Sequence, residues 1–76
     1  MNIGLLWFDD DPRHSLTDKV KEASAHYQKR FGQSPTLCYV HPAALGQTEQ
    51  HLVGGVQVAA GRTVLPNHLW LGVADA

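Results

Sequence analysis

The feature that most constrains the fold is a single long helical segment in a chain of 76 residues. From residue 16 to residue 31, apolar side chains recur three and four positions apart, as on the buried face of an amphipathic helix. They are Leu16, Val20, Ala23, Tyr27 and Phe31. Because one helix cannot enclose a core alone, the remaining apolar residues have to supply a sheet for it to pack against.

The ends of this helix carry recognisable signals. Gly32 predicts the C-terminal cap, and Pro35 prevents the helix from resuming. Two starts fit the sequence. Asp11-Pro12 would place proline in the first turn, where its missing N–H costs nothing. Ser15 with Asp18 has the capping-box pattern, which would start the helix four residues later.

Four apolar runs predict strands, at residues 3–8, 36–40, 56–60 and 68–73. We therefore expect one domain over residues 1–76 with the order β-α-β-β-β. The predicted fold class is an α/β (α+β) two-layer sandwich, in which a mixed sheet of about four strands carries one long helix on one face. The first two strands are expected to be parallel, joined by a right-handed crossover. The last two are expected to form an antiparallel hairpin, and residues 41–55 a connection with a tight turn at Gly54-Gly55.

The first strand is apolar at every position, so we expect it to be central and covered on both sides. One helix, about 10 Å wide, covers only one face of such a sheet. The other face would then expose large apolar side chains, which usually marks an interface. We take Trp7, Tyr39 and Trp70 as the interface candidates and expect a homo-oligomer. A protein partner, or a 41–55 segment folded over the face, would also cover it.

Composition narrows the function classes. The net charge of −1 gives no global attraction to nucleic acid or to a membrane surface. No apolar run is long enough to span a membrane, and the first ten residues lack the basic start of a secretory signal. One cysteine excludes an internal disulfide, so we expect a cytoplasmic protein. Five of the six basic residues fall within residues 13–31, which leaves weak nucleic-acid binding through the helix as an alternative.

Three aspartates follow the first strand, and they raise a second alternative. The carboxyl ends of parallel strands meet at one edge of a sheet, where ligands commonly bind. Asp9 and Asp10 could there join His41 after the second strand, His68 at the start of the last, and His14. Such a cluster suits a divalent cation and metal-assisted hydrolysis of a phosphoester. The same aspartates would also serve a strand-to-helix turn and its cap.

The sequence has neither a nucleophile motif nor a phosphate-binding loop, and no motif assigns the chain to a known family. We therefore expect a small non-enzymatic module that self-associates or binds a protein through an apolar sheet face. No cofactor is expected, apart from the divalent metal of the alternative site. The two alternatives are a metal-dependent hydrolase and a weak nucleic-acid binder.

Overall fold

A five-stranded sheet with one long helix on one side makes up the fold, as the predicted sandwich class requires. The computed structural model describes residues 4–45 and 50–74. Its elements, in chain order, are β1 (Gly4–Phe8), α1 (Leu16–Phe31), β2 (Leu37–Val40), α2 (Pro42–Leu45), β3 (Gln50–Val53), β4 (Val56–Ala60) and β5 (His68–Gly72). No helix in these two ranges is long and apolar enough to cross a membrane.

Helix α1 begins at the second of the two predicted starts. The Ser15 hydroxyl accepts a hydrogen bond from the Asp18 N–H at 3.1 Å, and the Asp18 carboxylate accepts one from the Ser15 N–H at 3.3 Å. This reciprocal pair satisfies two N–H groups that the first turn leaves free. At the other end Gly32 has φ +76° and donates its N–H to the Gln28 carbonyl at 2.8 Å, which confirms the predicted cap.

The strand order is β1-β5-β2-β4-β3. Strand β5 lies between β1 and β2 and is antiparallel to both, so β1 and β2 run in the same direction, as predicted, without touching. Strand β2 is parallel to β4, which in turn is antiparallel to β3. The predicted hairpin of the last two strands is therefore wrong, because β5 crosses back to fill the gap between β1 and β2.

The hairpin that does form joins β3 to β4 through the predicted turn at Gly54-Gly55. Both glycines have positive φ, +54° and +84°, which is the requirement of the two-residue turn that matches strand twist. The expectation that residues 41–55 are only a connection is thus wrong at residues 50–53, which add a fifth strand. Residues 46–49 lie outside the described part of the chain.

The core lies between the sheet and α1. Val20, Ala23 and Tyr27 of the helix meet the strand side chains of one sheet face, which are Cys38, Val40, Val53, Val56, Val58, Leu69 and Leu71. Leu5 and Trp7 pack against the same core, whereas Leu6 and Phe8 remain 60% and 55% exposed on the other face. Strand β1 is an edge strand covered on one side, so the prediction of a central, doubly covered strand is wrong.

The second sheet face, opposite the helix, is here called the open face. Leu45 of α2 joins the helix-side core, so the described residues 41–45 do not cover the open face. Part of the connection between β4 and β5 lies there instead. A Cβ placed on Gly61 would come within 3.0 Å of Tyr39 and 2.8 Å of Val64, so glycine is required where this loop approaches the sheet.

Candidate functional site

The aspartate loop after β1 is organised around an ion pair. The Asp9 carboxylate lies 2.7 Å from Nδ1 of His14, and its other oxygen accepts the Asp11 N–H at 2.9 Å. The Asp9 side chain is 10% exposed and that of His14 is 41% exposed. The hydrogen bond from His14 lowers the pKa of Asp9, and the same bond raises the pKa of His14. Each of these shifts favours the charged form of the group concerned.

A second carboxylate in the loop has a different partner. Asp11 receives two hydrogen bonds from the Arg13 guanidinium, at 2.8 and 3.0 Å, and one from the Arg13 N–H at 2.9 Å. These bonds lower the pKa of Asp11 to about 2. The His14 N–H also donates to the Asp11 carbonyl at 3.1 Å, which closes the turn that leads into α1. Asp9 and Asp11 therefore shape the turn, as one of the two sequence interpretations holds, and Asp10 is exposed beside them.

Within the described residues, one group of three side chains could hold a metal ion: Asp9, His14 and Glu22, whose ligand atoms lie within 4.8 Å of one another. Asp9 is shared with the predicted metal set, and His14 is the neighbour that was expected to join it. Glu22 was not anticipated, because it comes from the second turn of α1. Its position seven residues after the cap, on the side of the helix facing the loop, is a signal that helical geometry could have supplied.

The remaining two candidate ligands lie elsewhere. His41 and His68 both line a cavity of about 290 Å³ between the start of α1, helix α2 and the turn into β5. Nδ1 of His41 accepts the Ala43 N–H at 3.1 Å, and Nδ1 of His68 lies 2.8 Å from the Pro66 carbonyl. The predicted set Asp9, Asp10, His41 and His68 is thus divided between an ion-paired loop and a cavity.

The basic residues of α1 are also divided. Lys19 lines the cavity that contains His41, whereas Lys21 lies beside Ser34 and Pro35 on another side of the molecule. Lys29 and Arg30 flank a depression formed with Leu5, Trp7 and His26. The helix therefore presents separate positive groups on different sides, which differs from the continuous basic stripe that backbone phosphates would favour.

Two of the three interface candidates share the open face. Tyr39 and Trp70 are register partners on neighbouring strands, with ring centroids 6.4 Å apart. Trp7 points to the helix side, where its ring stacks on His26 at 4.4 Å. Alternation along β1 makes Trp7 and Leu6 face opposite ways, and the sequence could not decide which of them meets the helix.

The open face carries apolar residues that the sequence analysis did not single out. Leu6, Phe8, Leu52 and Leu65 are 60, 55, 71 and 65% exposed. Leu6, Tyr39, Leu65 and Trp70 line a common hollow, and Phe8 stacks on His68 at its margin. We call these five residues (Leu6, Phe8, Tyr39, Leu65 and Trp70) the open-face patch. The apolar pair Val64-Leu65 in the connection before β5 was the available signal for Leu65.

Glycine shapes the same face. The Trp70 indole lies over Gly4, where an added Cβ would come within 2.3 Å of the ring. A side chain at position 4 would lift the indole off the sheet, so Gly4 allows Trp70 to lie flat across β1. Gly4 thus contributes to the shape of the open-face patch.

Cys38 lies on the opposite, helix-facing side of β2 and is fully buried. Burial raises the pKa of its thiol to about 12, so the thiolate that nucleophilic chemistry requires does not form at neutral pH. Cys38 therefore serves as a small apolar core residue.

No protein family matches the chain, and no curated protein or solved structure is similar to it.

Proposed function

We propose that this chain is a small non-enzymatic module that associates with a second copy of itself through the open face of its sheet. The observation that carries the proposal is the open-face patch, where large apolar side chains stay exposed beside half-buried aromatic rings. Contiguous apolar patches of this kind are uncommon on monomers and usually mark an interface. Aromatic residues at the centre of a patch are also the side chains that contribute most to binding.

Charge supports a second copy as the occupant. The strand positions on this face, within the described residues, carry no Asp, Glu, Lys or Arg. Two copies related by a two-fold axis would bring identical surfaces together. Because the patch is uncharged, this contact buries no like charges and pays no desolvation of an ion.

The size of the face is also sufficient. The principal extents of the molecule are 30 × 25 × 20 Å, so a side spanned by the two larger extents measures about 750 Å², close to the ~800 Å² that each partner buries in a standard interface. A patch covering most of that side would therefore support a specific contact, provided that its apolar centre is packed.

Sedimentation velocity over a dilution series tests the proposal. We expect a dimer or larger assembly for the native chain and a folded monomer for Leu6→Lys, since Leu6 is mostly exposed and its replacement costs little in the monomer. Gln28→Lys, which adds the same charge on the exposed side of α1, should leave the assembly intact. A native chain that sediments as a monomer throughout would contradict self-association and leave a different protein as the occupant.

A second candidate function, metal-dependent hydrolysis, is supported by the grouping of Asp9, His14 and Glu22. An imidazole and two carboxylates are suitable ligands for a divalent transition metal. The metal would have to displace the proton that joins Asp9 to His14, so its binding should release protons. Calorimetry with Mn²⁺ and Zn²⁺ on the native chain and on Glu22→Gln tests this. Absence of saturable binding to the native chain would remove the candidate.

We also propose a cytoplasmic location, because the one cysteine is buried and unpaired, as reducing compartments allow. Fractionation of cells that express the native chain, followed by detection with an antibody, tests the location. Recovery outside the cytoplasm would contradict it.

A further inference from the structure

The cavity that holds His41 and His68 has a construction of its own, distinct from the open-face patch. It has a volume of about 290 Å³ and lies where the start of α1, helix α2 and the turn into β5 meet. The turn is fixed by a hydrogen bond from the His68 N–H to the Leu65 carbonyl at 3.2 Å. Asn67 within it has φ +64°, a conformation that few residues other than glycine adopt. The cavity wall is therefore formed by ordered elements.

Most of the lining is apolar. Val40 and Leu69, both buried, come from the sheet, and Leu16 comes from the first turn of α1. Ala43 and Ala44 of α2 complete the apolar wall with small side chains. Such a surface favours a short hydrocarbon group over a fully hydrated ion. When the hydrocarbon group binds, water is released from the group and from the cavity wall.

The charged part of the lining has one sign. Lys19 supplies a positive charge, and none of the lining residues that the structure describes is acidic. The Lys19 ammonium lowers the pKa of Asp9 and Asp11 through space, yet it forms no ion pair with any described residue. Lys19 is a half-buried residue whose ammonium has no ion-pair partner among the described residues, and such a group favours a singly charged anion.

The tautomer of His41 supports an anion rather than a metal ion. Its Nδ1 accepts the Ala43 N–H, so this nitrogen carries the lone pair and Nε2 of the neutral ring carries the proton. Nε2 can then donate a hydrogen bond, whereas a metal would require a lone pair there. The roles are reversed at His68, where Nδ1 donates a hydrogen bond to the Pro66 carbonyl and so fixes the second ring.

We propose that this cavity binds a small monocarboxylate with a short apolar chain. The carboxylate accepts hydrogen bonds from the Lys19 ammonium and from Nε2–H of His41, and the chain lies against Leu16, Val40 and Leu69. The site borders the open-face patch at His68, which lines both the cavity and the hollow of that patch, whereas Lys19 and His41 line the cavity alone.

Amide-resolved NMR titration of the full chain with butyrate tests the proposal. We expect saturable shifts confined to residues around the cavity. Lys19→Met should weaken binding by about tenfold or more, because it removes a charge-assisted hydrogen bond. Lys21→Met is the matched control, since Lys21 lies on another side of α1, and it should bind as the native chain does.

Two further arms separate the chemistry from general charge attraction. Ala44→Leu should abolish binding while leaving every charge in place, because Ala44 is exposed and a larger side chain there fills the cavity without entering the core. Inorganic phosphate should not compete with butyrate, since it has no apolar group. Equal weakening by the two lysine variants, competition by phosphate, or unsaturable shifts spread over the surface would each overturn the proposal.

Discussion

The ion pair between Asp9 and His14 shows how two residues give a loop a dependence on pH. The pKa of Asp9 lies below its ordinary value of 3.8, so the stabilisation that Asp9 provides is present above that pH and is lost as pH falls through the folded-state pKa. The pKa of His14 lies above 6.5, so the stabilisation from protonated His14 is full below 6.5 and is lost as pH rises through the folded-state pKa.

We therefore expect the pair to stabilise the fold most between about pH 4 and about pH 6.5. Asp9→Asn should lower the free energy of unfolding more at about pH 5.5 than at about pH 8.5, because less of His14 is protonated at the higher pH. Urea unfolding at both values measures this. Asp10→Asn removes the same charge from an exposed neighbour and should show no such difference. An Asp9→Asn effect that is equal at both pH values would be inconsistent with the pair.

Two serines at helix α1 differ in whether their hydroxyl group has a hydrogen-bond partner. Ser15 caps the helix, and its hydroxyl accepts the Asp18 N–H. Ser24 lies in the helix interior, where its hydroxyl oxygen is buried and has no hydrogen-bond partner among the described residues. A buried polar group without a hydrogen-bond partner destabilises the fold, whereas a capping hydroxyl gives a partner to a backbone N–H of the first helical turn.

Ser15→Ala should thus destabilise the chain by about 1 kcal/mol, while Ser24→Ala should leave its stability unchanged or raise it. The two variants differ from the native chain by the same atom, so thermal or urea unfolding compares them directly. Equal losses in the two variants would show that the hydroxyl of Ser24 has a partner or that the cap contributes little.

The sequence predicts the features that depend on neighbouring residues, and it does not predict those that depend on contacts between distant segments. The cap at Ser15, the stop at Gly32 and the turn at Gly54-Gly55 depend on neighbouring residues, and the structure confirms all three. Strand order depends on contacts between distant segments, and no local pattern encodes it. Strand β3 was missed because its four residues are two polar followed by two apolar ones, without the alternation that predicts a strand.

The site divides in the same way. Asp9 and His14 are five residues apart in the loop between β1 and α1, so their meeting could be predicted locally. The structure brings them together. Whether His41 and His68 would join them depended on the position of β5, which the sequence analysis had paired with β4. The sequence predicted an exposed apolar sheet face but assigned Trp7 to it. The alternation of side chains along β1 allows either Trp7 or Leu6 to face the helix, and nothing local decides between them.

At the scale of the whole molecule, the sheet has a stable centre and less constrained edges. Strand β5 pairs on both sides, and its Leu71 is fully buried, whereas Leu52 of edge strand β3 is 71% exposed. The same leucine-to-alanine substitution at these two positions therefore compares a buried site in a central strand with an exposed site in an edge strand.

Leu71→Ala should lower the free energy of unfolding by about 3 kcal/mol, because it removes buried methyl groups and leaves a cavity. Leu52→Ala should change it by less than about 0.5 kcal/mol, as exposed positions do. Chemical denaturation of the two variants, run at a protein concentration where both have the same oligomeric state, measures the difference. Losses of similar size at both positions would contradict the central placement of β5.

The central position of β5 also determines when this fold can be completed during translation. Strand β1 pairs only with β5, and β5 is the last strand of the described sheet to be synthesised. While residues 68–72 are still inside the ribosome, β1 has no neighbour, and one side of β2 has none. Strand β1 therefore stays unpaired until β5 has emerged, and unpaired apolar segments of this kind are prone to aggregate.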